Sequence, residues 1–380
     1  MIRVSLIRCK RVQGFNSSKV KKFSLSILII INVAIVLGLW ASGWCGYLDP
    51  NTYGWLCLIG YAFPIFLIAT IAFLFVWVII KKRFLLISFI GLLVAYHPVT
   101  LYFPINKATA DNELPDSLIT LLTYNTCGWG RMPTTPDKEL TNEEKCEVLV
   151  DFLKEQNADI VALQEAPKVD YVQPIYDLYQ YSDTAVVADG GVNLTLLSRY
   201  PVTNKQDLKI ESKGNTAVAF WLNVKGREVI VISTHLETMH FSINERTQFS
   251  EMVHGNRKEK DSIRSTSHTI LGKIYSATKT RAKQAQRIAK FIEEHKDKPI
   301  LIMGDFNDIP HSYVHDKICG DFTDCHAATG FGPGYTYTHY AIRERIDYII
   351  CTREFTPYNF KVLNNINLSD HLPVTCKVAF

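Results

Sequence analysis

The chain has 380 residues, 47% of them hydrophobic, and a formal net charge of +4. That charge is unevenly spread: residues 1–106 hold ten Lys/Arg and one acid, Asp49, whereas residues 107–380 hold 31 Lys/Arg against 36 Asp/Glu. A mildly acidic C-terminal part argues against broad electrostatic binding to a nucleic-acid backbone, which requires clustered Lys/Arg. The length allows more than one domain.

Residues 1–23 form a basic tail containing Arg3, Arg8, Lys10, Arg11, Lys19, Lys21 and Lys22. Three apolar runs follow, at about 24–41, 56–80 and 84–103. Each approaches the roughly 20 residues that cross a bilayer as a helix, so residues 24–103 are expected to be a three-span transmembrane anchor. Lys81, Lys82 and Arg83 separate the second and third runs, and the 42–55 loop has no Lys or Arg. By the positive-inside rule the tail and residues 81–83 are cytoplasmic, which leaves the loop and everything after the third span outside. Trp40, Trp44, Tyr47, Tyr53 and Trp55 gather around the outer loop, as interfacial aromatics do. A cleaved signal peptide fits poorly, because two further spans follow and no small-residue cleavage site stands out. Residues 104–116 are polar, contain two prolines and read as a linker.

From residue 117 to 380 the pattern is that of an α/β domain. Residues 117–124 read as a strand ending at Asn125, and 159–163 as a second ending at Gln164-Glu165. Between them, Thr141-Asn-Glu-Glu144 has the form of a capping box before a helix that places Val148, Leu149, Phe152 and Leu153 on one side. Further strands are expected at 193–197, before Ser198-Arg199, and at 229–232, before Ser-Thr-His235. Residues 238–272 are polar, mixed in charge and without a period, and read as a surface insertion or a substrate-facing loop. Ala282, Ala285, Ile288, Ala289 and Ile292 make a helical stripe before the strand 299–303. That strand runs into Gly304-Asp305-Phe-Asn307, where the glycine permits a turn or a close approach. Strands containing Asp347 and following Asp370-His371 complete the chain. The nine cysteines show no CxxC units or His partners at zinc spacing and read mostly as buried thiols; Cys319 and Cys325 would close a small disulfide loop only in an oxidising compartment.

One arrangement recurs: an apolar strand, then a polar residue suited to metal or phosphate chemistry. Each such residue alone reads equally as a turn or cap. Together, Asn125, Leu-Gln-Glu165, Leu-Ser-Arg199-Tyr-Pro, Ser-Thr-His235-Leu, Gly-Asp305-Phe-Asn307, Arg-Ile-Asp347-Tyr and Ser-Asp370-His371 occur in an order that resembles the endonuclease/exonuclease/phosphatase superfamily. The resemblance covers 117–380. It implies a four-layer α/β/β/α sandwich of two mixed β-sheets and phosphoester hydrolysis with a divalent metal, usually Mg²⁺, with Mn²⁺ an alternative. It also implies roles. Asn125, Glu165 and Asp370 would serve the metal. Asn125, Arg199, His235 and Asn307 would face the phosphate. His235, Asp305, Asn307 and the Asp347–His371 pair would form the catalytic group, with the general base left open between Asp305 and that pair. The position two after Asn125, an Asp in several abasic-site endonucleases, is Cys127 here, which counts against that activity.

The resemblance and the anchor point to a membrane-bound phosphoesterase in a bacterial inner or plasma membrane, with the catalytic domain extracytoplasmic. Its substrate would be a phosphate ester or pyrophosphate near the membrane, including lipid-linked forms. A tethered nuclease and a catalytically inactive binding module are the alternatives. The first predicts a basic groove, for which only residues 246–264 are candidates, and the second sits badly with an intact set of site residues.

Overall fold

The structure is a computed structural model that describes residues 17–129, 140–166, 173–186, 193–212, 214–254, 260–338 and 342–380. Arg3, Arg8, Lys10 and Arg11 of the tail, and Arg257 and Lys258 of the polar stretch, lie outside the described residues. By contact the chain divides into two units, Met1–Ala41 with Phe63–Ala95 and Ser42–Ala62 with Tyr96–Phe380.

The first unit is helical. It contains most of α1 (Ser17–Gly43), together with α2 (Phe63–Ile80) and α3 (Leu85–Val94). Trp77 donates its indole N–H to Asn32 Oδ1 at 2.7 Å, and Asn32 Nδ2 donates to Ser88 Oγ at 3.0 Å, so one buried polar node joins all three helices. Small residues allow close approach here: a Cβ on Gly91 would meet Val36 at 2.8 Å, and one on Gly38 would meet Phe66 at 2.3 Å. Two helices, Lys21–Gly43 and Pro50–Ile80, are long and apolar enough to cross a membrane. The third expected span is instead a pair, Lys82–Val94 and Tyr96–Tyr102, bent by 64°, and it brings the number of candidate spans to three if it is counted as one.

The second unit holds α4 (Tyr96–Tyr102) and two six-stranded mixed sheets. The first sheet has the order β11-β12-β1-β2-β4-β3, from β1 (Leu118–Asn125), β2 (Ile160–Ala166), β3 (Tyr181–Ala185), β4 (Asn193–Ser198), β11 (Thr356–Val362) and β12 (Val374–Ala379). The second has the order β5-β6-β7-β8-β10-β9, from β5 (Val202–Asp207), β6 (Thr216–Val224), β7 (Arg227–His235), β8 (Ile300–Asp305), β9 (Thr323–Asp324) and β10 (Asp347–Cys351).

Successive strand residues point to opposite faces, and here both faces are covered, which is why these strands read as continuous apolar runs. Leu121, Ile160, Leu196, Phe220, Val231 and Met303 meet in the core between the sheets. Leu122, Tyr124, Val161 and Leu163 face outward onto Leu149, Phe152 and Leu153 of α5 (Asn142–Gln156). On the other side Ala219, Ile230 and Ile302 face Ala285, Ile288 and Phe291. The result is the expected α/β/β/α sandwich. Thr141 and Glu144 form the capping box that starts α5, each accepting the other's backbone N–H.

The polar stretch after His235 is helical. α6 (Ile243–Val253) is followed by the 35-residue α7 (Lys260–Glu294), which carries the apolar stripe in its last third. Ser242 and Glu245 form a second reciprocal cap at the start of α6, with Ser242 N–H to Glu245 Oε2 at 2.7 Å and Glu245 N–H to Ser242 Oγ at 3.2 Å. An exposed helix held by caps and side-chain pairs needs no apolar face, so hydrophobic period could not reveal it. Cys319 and Cys325 form no disulfide and are buried, and the same holds for the other described cysteines.

Candidate active site

β1 and β2 are parallel, as are β7 and β8, so Asn125, Glu165, His235 and Asp305 all emerge at strand C-terminal ends. β10 runs antiparallel to β8 with Asp347 opposite Asp305, and β12 runs antiparallel to β1 with Val374 opposite Thr123. Asp347, the first residue of β10, and His371, just before β12, therefore reach the same rim. Gly304 has φ 143°, and a Cβ there would lie 2.1 Å from Thr234 O. Of the two uses the sequence allowed this glycine, close approach between β7 and β8 is the one realised. Cys127, Glu165 and Asn307 are non-glycine residues with positive φ (52°, 46° and 52°), and their concentration at one rim marks backbone held in place by its surroundings.

Asp305 is the centre of the group and is fully buried. Asn125 Nδ2 donates to Asp305 Oδ2 at 2.9 Å, and the Asn307 backbone N–H donates to Oδ1 at 2.7 Å. His235 Nε2 lies 3.7 Å and His371 Nε2 3.8 Å from Asp305 Oδ2. His371 Nδ1 is 3.0 Å from Asp347 Oδ2. Glu165 Oε1 is 3.7 Å from His235 Nε2 and accepts from Asn125 Nδ2 at 3.4 Å.

Burial, and then the neighbouring Asp347 carboxylate, raise the Asp305 pKa to about 7. For His371 burial acts downward, but Asp347 and Asp305 outweigh it and lift the imidazole to about 10. His235 goes the other way, lowered chiefly by burial, and is a neutral ring. Asn215 sets its tautomer: its amide N–H₂ donates to Leu236 O at 2.9 Å and lies 3.2 Å from His235 Nδ1. With Nδ1 accepting, Nε2 carries the proton and presents it to the pocket. Nε2 is buried and has no hydrogen-bond partner among the described residues. Asn307 Nδ2 donates to the same Leu236 carbonyl at 2.9 Å, so the loops after β7 and β8 share an anchor.

Two expected roles meet a different environment. Arg199 is not brought to this rim. β4 runs antiparallel to β2 with Ser198 opposite Ile160, so Arg199 follows the strand end farthest from Glu165. There it pairs with Asp159 at 3.1 Å and with Asn157. Asp370 is at the rim, and its Oδ2 lies 3.4 Å from Arg246 Nη1. Asn215 and Arg246 are the site residues that sequence motifs did not single out; the cap before Arg246 is the signal that would have placed it on a helix.

A cavity of about 480 Å³ opens over this rim, with Glu165, Asp305, Glu344 and Asp370 among its lining residues. Arg246 is the only Arg or Lys among the described residues that line it. A pocket this acidic repels a phosphate unless a cation is present. The ligand atoms of Asp305, Asp347 and His371 lie within 4.8 Å of one another, a donor set that fits a divalent metal.

The sequence profile of the Endonuclease/Exonuclease/phosphatase family matches residues 146–371, and that of a domain of unknown function, DUF8431, matches residues 25–102. No curated protein matches the chain. Among solved structures, zebrafish (D. rerio) TDP2 complexed with a single-strand DNA product is similar over 70% of this chain and 100% of its own, at 15% identity and a TM-score of 0.49. A Bacteroides thetaiotaomicron mannosyl-6-phosphatase is similar over 69% and 100%, at 16% identity and 0.47. The human Nocturnin catalytic domain with bound sulfate is similar over 69% and 94%, at 17% identity and 0.48.

Proposed function

The chain belongs to the endonuclease/exonuclease/phosphatase family, and from that premise we propose that it is a membrane-anchored hydrolase of a phosphate ester or pyrophosphate, acting outside the cytoplasm. The observation that carries this reading is the convergence on Asp305 of Asn125, Asn307, His235 and the Asp347–His371 pair, drawn from both sheets. Glu165, with Asn125 beside it and Asp370 lining the same cavity, would hold the divalent cation next to the Asp305–Asp347–His371 group. Hard carboxylate oxygens favour Mg²⁺, or Mn²⁺ in its place. When bound, the cation would supply positive charge to the phosphate and to the departing oxygen. Asn125 and Asn307 orient the Asp305 carboxylate, which takes the proton of the attacking water. His235 donates its Nε2–H to a phosphoryl oxygen, and His371, held by Asp347, supports the charge that builds up in the transition state.

The span count and the loop charges support the topology. Counted with the bent pair as one span, the candidate spans number three, an odd number of crossings before the catalytic domain. With Lys81, Lys82 and Arg83 at the turn kept cytoplasmic, the active site lies on the outer side.

Full-length protein in detergent would be offered p-nitrophenyl phosphate, bis-p-nitrophenyl phosphate, plasmid DNA and a polyprenyl diphosphate, with Mg²⁺, with Mn²⁺ and with chelator. Turnover of a phosphate ester or diphosphate that chelator abolishes and Asp305→Ala lowers by about 100-fold or more is expected. Plasmid cleavage without turnover of the other substrates would replace this reading with a nuclease.

A further inference from the structure

The cavity over the active site continues past the hydrolytic group toward α6. Arg246 stands there in an otherwise acidic lining. The Ser242–Glu245 cap fixes the first turn of its helix, and Lys273 of α7 donates to Glu245 Oε2 at 2.7 Å. The Arg246 side chain is 20% exposed, so it is held and mostly desolvated. Its Nη1 donates to Tyr337 Oη at 3.1 Å and lies 3.4 Å from Asp370 Oδ2. Among the described residues Nη2 and Nε have no partner. An arginine kept for structure alone turns its fork onto a carboxylate; this one touches Asp370 with a single nitrogen at long range and leaves the rest of the fork unspent.

Arg246 is also close to the chemistry. The Tyr337 ring that accepts its hydrogen bond meets the His371 ring at 5.1 Å and 69°, so one aromatic side chain separates the guanidinium from the hydrolytic imidazole. Met239, Phe241, Ile342 and Ile346 also line the cavity and give it an apolar wall. A metal-assisted phosphate site, a separate cation with donors to spare and an apolar wall together describe a substrate with two adjacent anionic groups and an apolar chain.

We propose that Arg246 forms a second anion subsite, which takes the non-reacting phosphoryl group of a diphosphate whose apolar chain lies along Met239, Phe241, Ile342 and Ile346. This rests on reading the site as a phosphoester hydrolase. Arg246 then determines specificity, and the capped helix that carries it is the device that sets it apart from the reacting centre.

The test compares wild type, Arg246→Gln and Arg246→Lys, each as full-length protein with Mg²⁺. The first readout is kcat/KM for farnesyl diphosphate relative to farnesyl monophosphate, with ADP as a diphosphate lacking the apolar chain. The second is calorimetric binding of methylenediphosphonate against methylphosphonate, which needs no turnover. The ratio of diphosphate to monophosphate kcat/KM should fall about tenfold or more in Arg246→Gln, mainly through KM, and less in Arg246→Lys. Methylenediphosphonate should weaken by a similar factor, and methylphosphonate by less. Wild type should turn over farnesyl diphosphate in preference to ADP; equal use would remove the apolar arm of the proposal. Equal losses for the one- and two-phosphorus ligands would overturn the subsite. If wild type hydrolyses none of these compounds, the hydrolase reading fails, and the calorimetric comparison still decides whether Arg246 binds the second anion.

Discussion

Asp305, His371 and Glu344 each hold a proton more tightly in the folded chain than in the unfolded one. Asp305 and Glu344 sit at about 7, raised first by burial and then by Asp347 and Asp308 respectively, and His371 sits at about 10. A pKa raised by folding gives stability that is complete below the unfolded value and is lost as pH climbs to the folded one. For the two acids that window runs from about 4 to about 7. For His371 it runs from about 6.5 to about 10. All three terms have the same sign, and the buried histidines whose pKa values are lowered, His235, His311 and His326, oppose them only up to about pH 6.5, so the melting temperature of the metal-free protein should fall between pH 7 and pH 9 in a thermal scan with chelator. Saturating Mg²⁺ should flatten that fall, because the cation replaces the protons. A melting temperature that rises over the same range would refute a proton-holding cluster.

α7 ties the two catalytic loops together. Arg281 is wholly buried; its Nε donates to Asp308 Oδ2 at 3.0 Å and its Nη1 to Glu237 O at 3.0 Å. Asp308 follows Asn307 in the loop after β8, and Glu237 lies two residues past His235, so one guanidinium spans both loops. Arg281→Met strands the Asp308 carboxylate in the interior and should cost about 3–5 kcal/mol in denaturant titrations. Adding Asp308→Leu removes the stranded charge and should recover part of that loss. A double variant no more stable than the single one would show that the helix packing, not the ion pair, carries the effect. The same helix pair explains why the 238–272 stretch resisted reading. Its order comes from the Ser242–Glu245 cap and the Lys273–Glu245 pair, and neither produces a hydrophobic stripe.

At the scale of the whole molecule, the 42–62 segment and the chain from residue 96 are grouped with the two sheets. Cys45 Sγ donates to His311 O at 3.0 Å, and Gln286 Nε2 donates to Asp49 Oδ2 at 3.0 Å. Trp55 stacks on Tyr275 at 4.3 Å, and Tyr61 donates to Asp308 at 3.4 Å. Arg345 Nη2 donates to Leu101 O at 2.8 Å, and the buried His311 Nε2 lies 2.9 Å from Pro98 O. A fragment beginning at Ser117 would leave several of these buried groups unpaired, each at about 1–3 kcal/mol. Its melting temperature by scanning fluorimetry should lie about 10 °C or more below that of the full chain. A fragment that melts with the full chain would mean that these contacts add nothing.

Sequence alone determined what depends on near neighbours. The apolar runs of the candidate spans, the strands buried on both faces, the Thr141 cap and the order of the motifs are local signals, and they sufficed for the fold class and for the family. They also placed Asn125, Glu165, His235 and Asp305 at strand ends, because a polar residue after an apolar run marks where a strand leaves the core. What only the tertiary structure decided is which strand ends share a rim. Arg199 follows an apolar strand just as His235 does, but β4 pairs antiparallel with β2 and carries it to the opposite end. Asn215 and Arg246 enter the site from segments with no motif, and residues 42–62 join the sheet-containing unit across more than two hundred positions of sequence. Strand direction and such distant contacts are properties of pairing between remote segments, and no local pattern encodes them.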